Sequence, residues 1–88
     1  MKSYYFLICI YEGGLDYIKA YTNLDLAQNE MKDGVIEALK GEDESIFRNY
    51  KEGEDFFFES ESTEAWVNIG KEYAWCITYG SDIEVVME

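Results

Sequence analysis

Histidine and proline are absent from this 88-residue chain, and lysine and arginine together number seven against nineteen aspartates and glutamates. Without histidine the side chain most often used for general acid–base work is missing. No Gly-x-Ser-x-Gly, no Ser-x-x-Lys and no cysteine beside a basic partner stands in for it as an activated nucleophile. Paired carboxylates remain available for a glycosidase-like mechanism, but a chain this short seldom forms the deep cleft such chemistry needs, so catalysis is not expected. The shortage of basic residues leaves a formal net charge of −12, a field that repels phosphates and argues against direct nucleic-acid binding. No long hydrophobic run exists: the longest, Tyr4 to Tyr11, has eight residues, where a membrane-spanning helix needs ~20. Only two cysteines occur, Cys9 and Cys76, each inside an apolar stretch where a thiol behaves as a small hydrophobe. Free buried thiols are the expectation, with a single bridge as the alternative if their strands are neighbours. Nothing before Tyr4 resembles a signal peptide, so a reducing cytoplasm is the expected location.

The residues present are those of one folded domain over 1–88. Forty-eight per cent are hydrophobic and they recur along the whole chain, although so short a chain buries only somewhat more than ~60% of its unfolded surface. "YYFLICIY", apolar at every position, reads as a central strand buried on both faces. "EGG" (12–14) and the extended "LDYIKAY" complete a hairpin. Thr22, with Asp25 three residues on, resembles a capping box, Asn23 being the alternative cap. A helix then follows, with Leu24, Ala27, Met31, Val35, Ala38 and Leu39 on one face. Lys40 and Gly41 are expected to end it, the glycine free to turn left-handed, and Gly34 beside the stripe suggests a close approach to the sheet. "ESIFRNY" reads as a short helix or loop and "EDFFFES" as a short strand. "EAWVNIG" and "EYAWCITYG" form a hairpin about Gly70 and Lys71, and "IEVVME" a last strand. The expected class is α+β: a small antiparallel β-sheet with one principal helix packed on one face, in the order β-β-α-(short α)-β-β-β-β.

Residues 41–64 hold nine carboxylates against two basic residues, together with Ile46, Phe47, Tyr50 and the triplet Phe56–Phe58. On a strand, alternate residues share a face, so Glu59 and Glu61 are expected in a row with Phe57, with Phe56 and Phe58 turned to the core and Glu52, Glu54 and Asp55 extending the patch. On the helix, Glu30, Asp33 and Glu37 recur at i+3 and i+4 as a second carboxylate ridge. Regular carboxylates of this kind stand in for a phosphate backbone, which carries one charge per ~3.4 Å of axis per strand. Phe57, Tyr50, Tyr73 and Trp66 are candidate exposed aromatics at the same surface, and fifteen aromatics exceed what so small a core hides. The oxygen-rich "EDE" and "EGED" do not match the EF-hand pattern, and Gly13 and Gly14 lack the spacing of a phosphate-binding loop. Neither a metal nor a cofactor is therefore expected.

In size, acidity and single-domain α+β make-up, carried by "GEDES…EGED…ESESTE", the chain resembles the small phage-encoded inhibitors of bacterial defence, anti-CRISPR proteins and other DNA mimics. The resemblance implies a mode of action. A non-catalytic acidic protein, acting in the cytoplasm of a bacterial host cell, occupies the basic nucleic-acid-binding site of a partner such as a CRISPR effector, where arginines that read DNA are natural targets for carboxylates. The alternative is a protein-interaction or structural module acting as a homodimer through a strand edge or aromatic patch, its acidity serving solubility only.

Overall fold

In the computed structural model, which describes residues 3–81, Glu12 and Gly13 both take positive φ, 50° and 79°. They join β1 (Ser3–Tyr11) to β2 (Gly14–Tyr21) as an antiparallel hairpin. Left-handed conformations at both loop residues match the right-handed twist of the flanking strands, which is why so tight a turn is stable here. The remaining strands are β3 (Phe56–Phe57), β4 (Glu64–Asn68) and β5 (Glu72–Ser81). Gly70, at φ 95°, turns the hairpin between β4 and β5. The strand order is β2-β1-β5-β4-β3 with every neighbour antiparallel. The expected last strand over 83–88 lies outside the described residues.

One principal helix, α1 (Leu24–Ala38), lies across one face of this sheet and touches β1, β2, β4 and β5. Its cap is Asn23 rather than Thr22: the Asn23 side chain accepts from the Leu26 N–H at 2.9 Å. The shorter register puts the amide oxygen within reach of the free N–H groups of the first turn. The expected stripe is buried at Ala27, Met31, Val35 and Leu39, and Ile36 is buried as well but outside the core cluster. At the C-terminus the left-handed residue is Lys40, at φ 60°, and not Gly41. The Lys40 N–H donates to Glu37 O and the Gly41 N–H to Ile36 O, the paired bonds of a Schellman motif. Gly41 is needed for a different reason, since a Cβ there would overlap the Ile46 side chain.

The core of the described residues is a single cluster sandwiched between α1 and the sheet. Leu7, Cys9, Ala65, Val67, Trp75 and Ile77 come from the strands, and Phe56 from the edge. Full burial of each large aliphatic side chain stabilises the fold by roughly 1.5–3 kcal/mol. Gly34 sets the helix-to-sheet distance: a Cβ built on it would stand 2.9 Å from Trp75 Nε1, so the indole lies where a side chain would otherwise be. The short second helix is a 3-10 turn over Glu44–Asn49, capped by Asp43, whose carboxylate accepts from the Ser45 N–H at 2.9 Å. Bonds to the Ser45 side chain and backbone hold the Asp43 carboxyl below its ordinary range.

β1 is an interior strand, between β2 and β5, but it is not buried on both faces. Leu7 and Cys9 are 0% and 1% exposed, whereas Phe6, Ile8 and Ile10, pointing the other way, are only half-buried. One helix covers one face, and no other described element covers the second.

Candidate functional site

The carboxylates expected to act together are divided between three places. Only two residues of the "EDFFFES" segment pair as a strand, Phe56 with Val67 and Phe57 with Trp66. Glu59 and Glu61 therefore do not form a strand row with Phe57. They sit instead on a turn closed by the Ser62 N–H donating to Glu59 O, and Gln28 Nε2 on α1 donates to Ser62 O at 3.2 Å, holding that turn against the helix. Phe57 projects from the opposite side of the sheet. The reason is local: Ser62 accepts from the Glu64 N–H and donates to Glu64 O, and such side-chain bonds compete with the strand ladder.

Phe56 and Phe58 do fasten the segment inward. Both rings pack on Phe47 of the 3-10 helix, with centroids 5.1 Å and 5.8 Å away. Asp55 is a turn residue rather than a displayed charge. Its carboxylate accepts from the Lys51 N–H at 2.9 Å and its backbone carbonyl from the Asn68 N–H at 2.8 Å. Glu54 lies 3.9 Å from Lys51 Nζ, and Glu52 bridges to Phe56. Tyr50 and Tyr73 are partly buried against the core, and Tyr73 stacks on Trp75 at 5.6 Å. Trp66 is half-buried on the uncovered side of the sheet, opposite Phe57.

The helix ridge exists as a spacing but not as three equal charges. Glu30 accepts from Lys19 Nζ of β2 at 3.2 Å, and that carboxylate raises the lysine above its ordinary pKa through the hydrogen bond and the charge. Asp33 and Glu37 are exposed and form no ion pair among the described residues. They stand four residues apart, about 6 Å along the helix axis. Asp25 is exposed in the first turn of the same helix. A cleft of about 290 Å³ between Asp25, Gln28, Lys32, Phe58 and Ser60 joins the helix to the turn that carries Glu59 and Glu61. The acidic surface is thus α1 together with the 59–62 turn, and Asp25 is a member that the i+3, i+4 pattern did not single out.

Beneath the other half of the helix, a β-bulge between Cys9 and Ile10 inserts Asp16 into β2, and bulges of this kind re-aim side chains. Asp16 thereby approaches the Cys9 thiol, Sγ to Oδ2 4.0 Å. The Trp75 indole N–H donates to the Tyr17 hydroxyl at 3.2 Å. Burial, with the charge of Asp16, pushes Cys9 up to about 11, and burial pushes Tyr17 up to about 12. Both are inert neutral groups at neutral pH. Cys9 and Cys76 are free. Ile8, not Cys9, is the register partner of Cys76, so the two thiols project from opposite faces of the sheet. No group of three or more metal-ligating side chains occurs among the described residues, and no helix there is long and apolar enough to cross a membrane.

The fold and charge define an acidic α+β protein with a carboxylate-bearing helix on one side of its sheet. No family model matches the chain, and no curated protein and no solved structure matches it either.

Proposed function

We propose that this is a non-catalytic acidic inhibitor that enters the basic nucleic-acid-binding site of another protein. The resemblance noted above points to an RNA-guided nuclease of a bacterial defence system as the kind of target. The observation that carries the reading is a set of carboxylates, free of ion pairs among the described residues, on a rigid support. Asp25, Asp33 and Glu37 lie on α1, and Glu59 and Glu61 lie on a turn bonded to it. A helix buried along its whole inner stripe presents its outer charges at fixed separations. That lowers the ordering cost of meeting a row of arginines and lysines, and the −12 field speeds the encounter.

The test is binding to a purified RNA-guided nuclease in competition with its duplex DNA target, at low and at high salt. Mimicry predicts mutual exclusion with DNA and affinity that falls steeply with salt. The double substitution Asp33→Lys with Glu37→Lys is expected to weaken binding tenfold or more, about 1.4 kcal/mol. Simultaneous binding of DNA and inhibitor, or affinity indifferent to salt and to the double substitution, would remove the reading.

A further inference from the structure

The uncovered face of the sheet is built from one set of rows. Register places Ile10 beside Ala74 and Leu15, Ile8 beside Cys76 and Ile18, and Phe6 beside Thr78 and Ala20, while Trp66 and Phe57 extend the first row. Leu15 and Ile18 are 62% and 54% exposed. In a chain of net charge −12, the charged side chains of this face among the described residues are Glu64, beside Cys76 at the lateral end of the Ile8 row, and Glu72, at the start of β5. Lys19 and Asp16 of β2 project to the helix side, where they meet Glu30 and Cys9.

The face has relief as well as apolarity. β1 presents a ridge of Tyr4, Phe6, Ile8 and Ile10, and the adjacent β5 presents small partners at each level: Gly80, Thr78, Cys76 and Ala74. The resulting trough opens as cavities of about 240 and 310 Å³ between Ile10, Trp66 and Ala74.

We propose that this face is the interface of a homodimer, two copies packing face to face about a two-fold axis parallel to the strands and midway between β1 and β5. That axis exchanges the positions of β1 and β5, so the ridge of each copy enters the trough of the other, with Ile8 of the second copy over Cys76. A two-fold axis across the strands would instead set ridge on ridge. Stacked sheets stand ~10 Å apart and neighbouring strands ~4.8 Å apart, so the two Cys76 Cα atoms come to about 11 Å from one another. β1 and β5 over their nine paired levels, flanked by β2 and β4 where these run alongside, cover roughly 400 Å² of plane, and side-chain relief raises this towards the ~800 Å² per partner of a standard interface. Charge also favours a second copy over a basic partner. The face offers a basic protein almost nothing to pair with, and two acidic chains meet here without bringing α1 or the 59–62 turn together. This inference is independent of the proposed inhibition, because the acidic surface remains outermost in the dimer.

Sedimentation equilibrium of the full chain, from low micromolar to submillimolar concentration, reads the outcome directly. Twice the 10.3 kDa chain mass is expected, with association that tightens as salt screens the repulsion between copies, opposite in sign to the salt effect on a basic partner. Ile8→Glu, on the uncovered face and outside the core, is expected to give a folded monomer by circular dichroism, with its Cys76 alkylated at least tenfold faster than in the dimer. A bismaleimide of matching span is expected to link the two Cys76 thiols covalently. A monomer at every concentration overturns the proposal, as does a dimer that survives Ile8→Glu, which would place the contact at the β2 edge. Slow Cys76 alkylation in a chain that sediments as a monomer also overturns it, because an occupant other than a second copy would then cover the face.

Discussion

Alternate residues of the same strands build the two faces of this sheet, and the faces end in opposite circumstances. On the helix side Leu7, Cys9, Val67 and Trp75 are 4% exposed or less, in contact with Met31, Val35 and Leu39. On the other side Ile8, Ile10, Cys76 and Trp66 are half-buried and Ile18 is more than half exposed. The two sets differ little in hydrophobicity. What separates them is supply: one 15-residue helix covers one face of a five-stranded sheet. An apolar strand residue therefore reports that a face wants cover, not that the chain itself provides it.

The strongest test of this contrast uses neighbours on β1. Leu7→Ala is expected to cost about 2–5 kcal/mol in urea denaturation at concentrations low enough for monomer, and Ile8→Ala less than about 1.5 kcal/mol under the same conditions, because its methylenes already touch solvent. Equal costs would mean that the second face is covered within one chain. Next in size is the helix-to-sheet spacing. Gly34→Val forces the helix off the Trp75 indole and is expected to lose about 1–3 kcal/mol, with a shift in tryptophan emission marking where the strain falls.

A smaller effect separates the two candidate caps of α1. Asn23→Ala should lower stability by ~1 kcal/mol, whereas Thr22→Ala should stay within about 0.5 kcal/mol, both read from the denaturation midpoint. The last effect is silent at neutral pH. Cys9 and Tyr17 on the helix side have folded pKa values raised from 9.0 to about 11 and from 10.0 to about 12. The unfolded chain therefore releases these protons first as pH rises. The stability they contribute is complete below pH 9.0 and is lost through about 11 for Cys9, then from 10.0 through about 12 for Tyr17. Melting temperature against pH is expected to fall in that window, and Cys9→Ala to remove the earlier part of the fall. A flat profile would mean that the face beneath the helix is open to water.

How much of this was legible in the residues varies by element. The α1 stripe was, because Ala27, Met31, Val35 and Leu39 repeat at helical spacing and α1 has one sheet face to meet. Its N-terminus was legible only as a choice, since Thr22 and Asn23 carry equally suitable side chains and the difference lies in where the first turn begins. The left-handed residue at its end was misassigned to Gly41. Lys40 takes that conformation, and Gly41 answers to Ile46, a neighbour that only the folded chain supplies. The strand row of Glu59, Glu61 and Phe57 failed for a related reason. Period-two patterning assumes that pairing continues, and the Ser62 side chain ended it. Asp25 went unremarked as part of the acidic surface because nothing in the order of residues shows that the 59–62 turn comes to rest against the first half of α1.

Local chemistry determined the elements of this protein: the tight turn at Glu12–Gly13, the amphipathic helix, the aromatic strands and the charge of −12. These depend on conformational preferences and periodicities that act over a few residues. Which carboxylates share a surface, which aromatics are hidden and which face of the sheet stays open were decided by the tertiary structure. Those outcomes depend on contacts between segments far apart in the chain, such as Gln28 with Ser62, Gly34 with Trp75 and Ile8 with Cys76. Local periodicity carries no information about which distant segment will arrive.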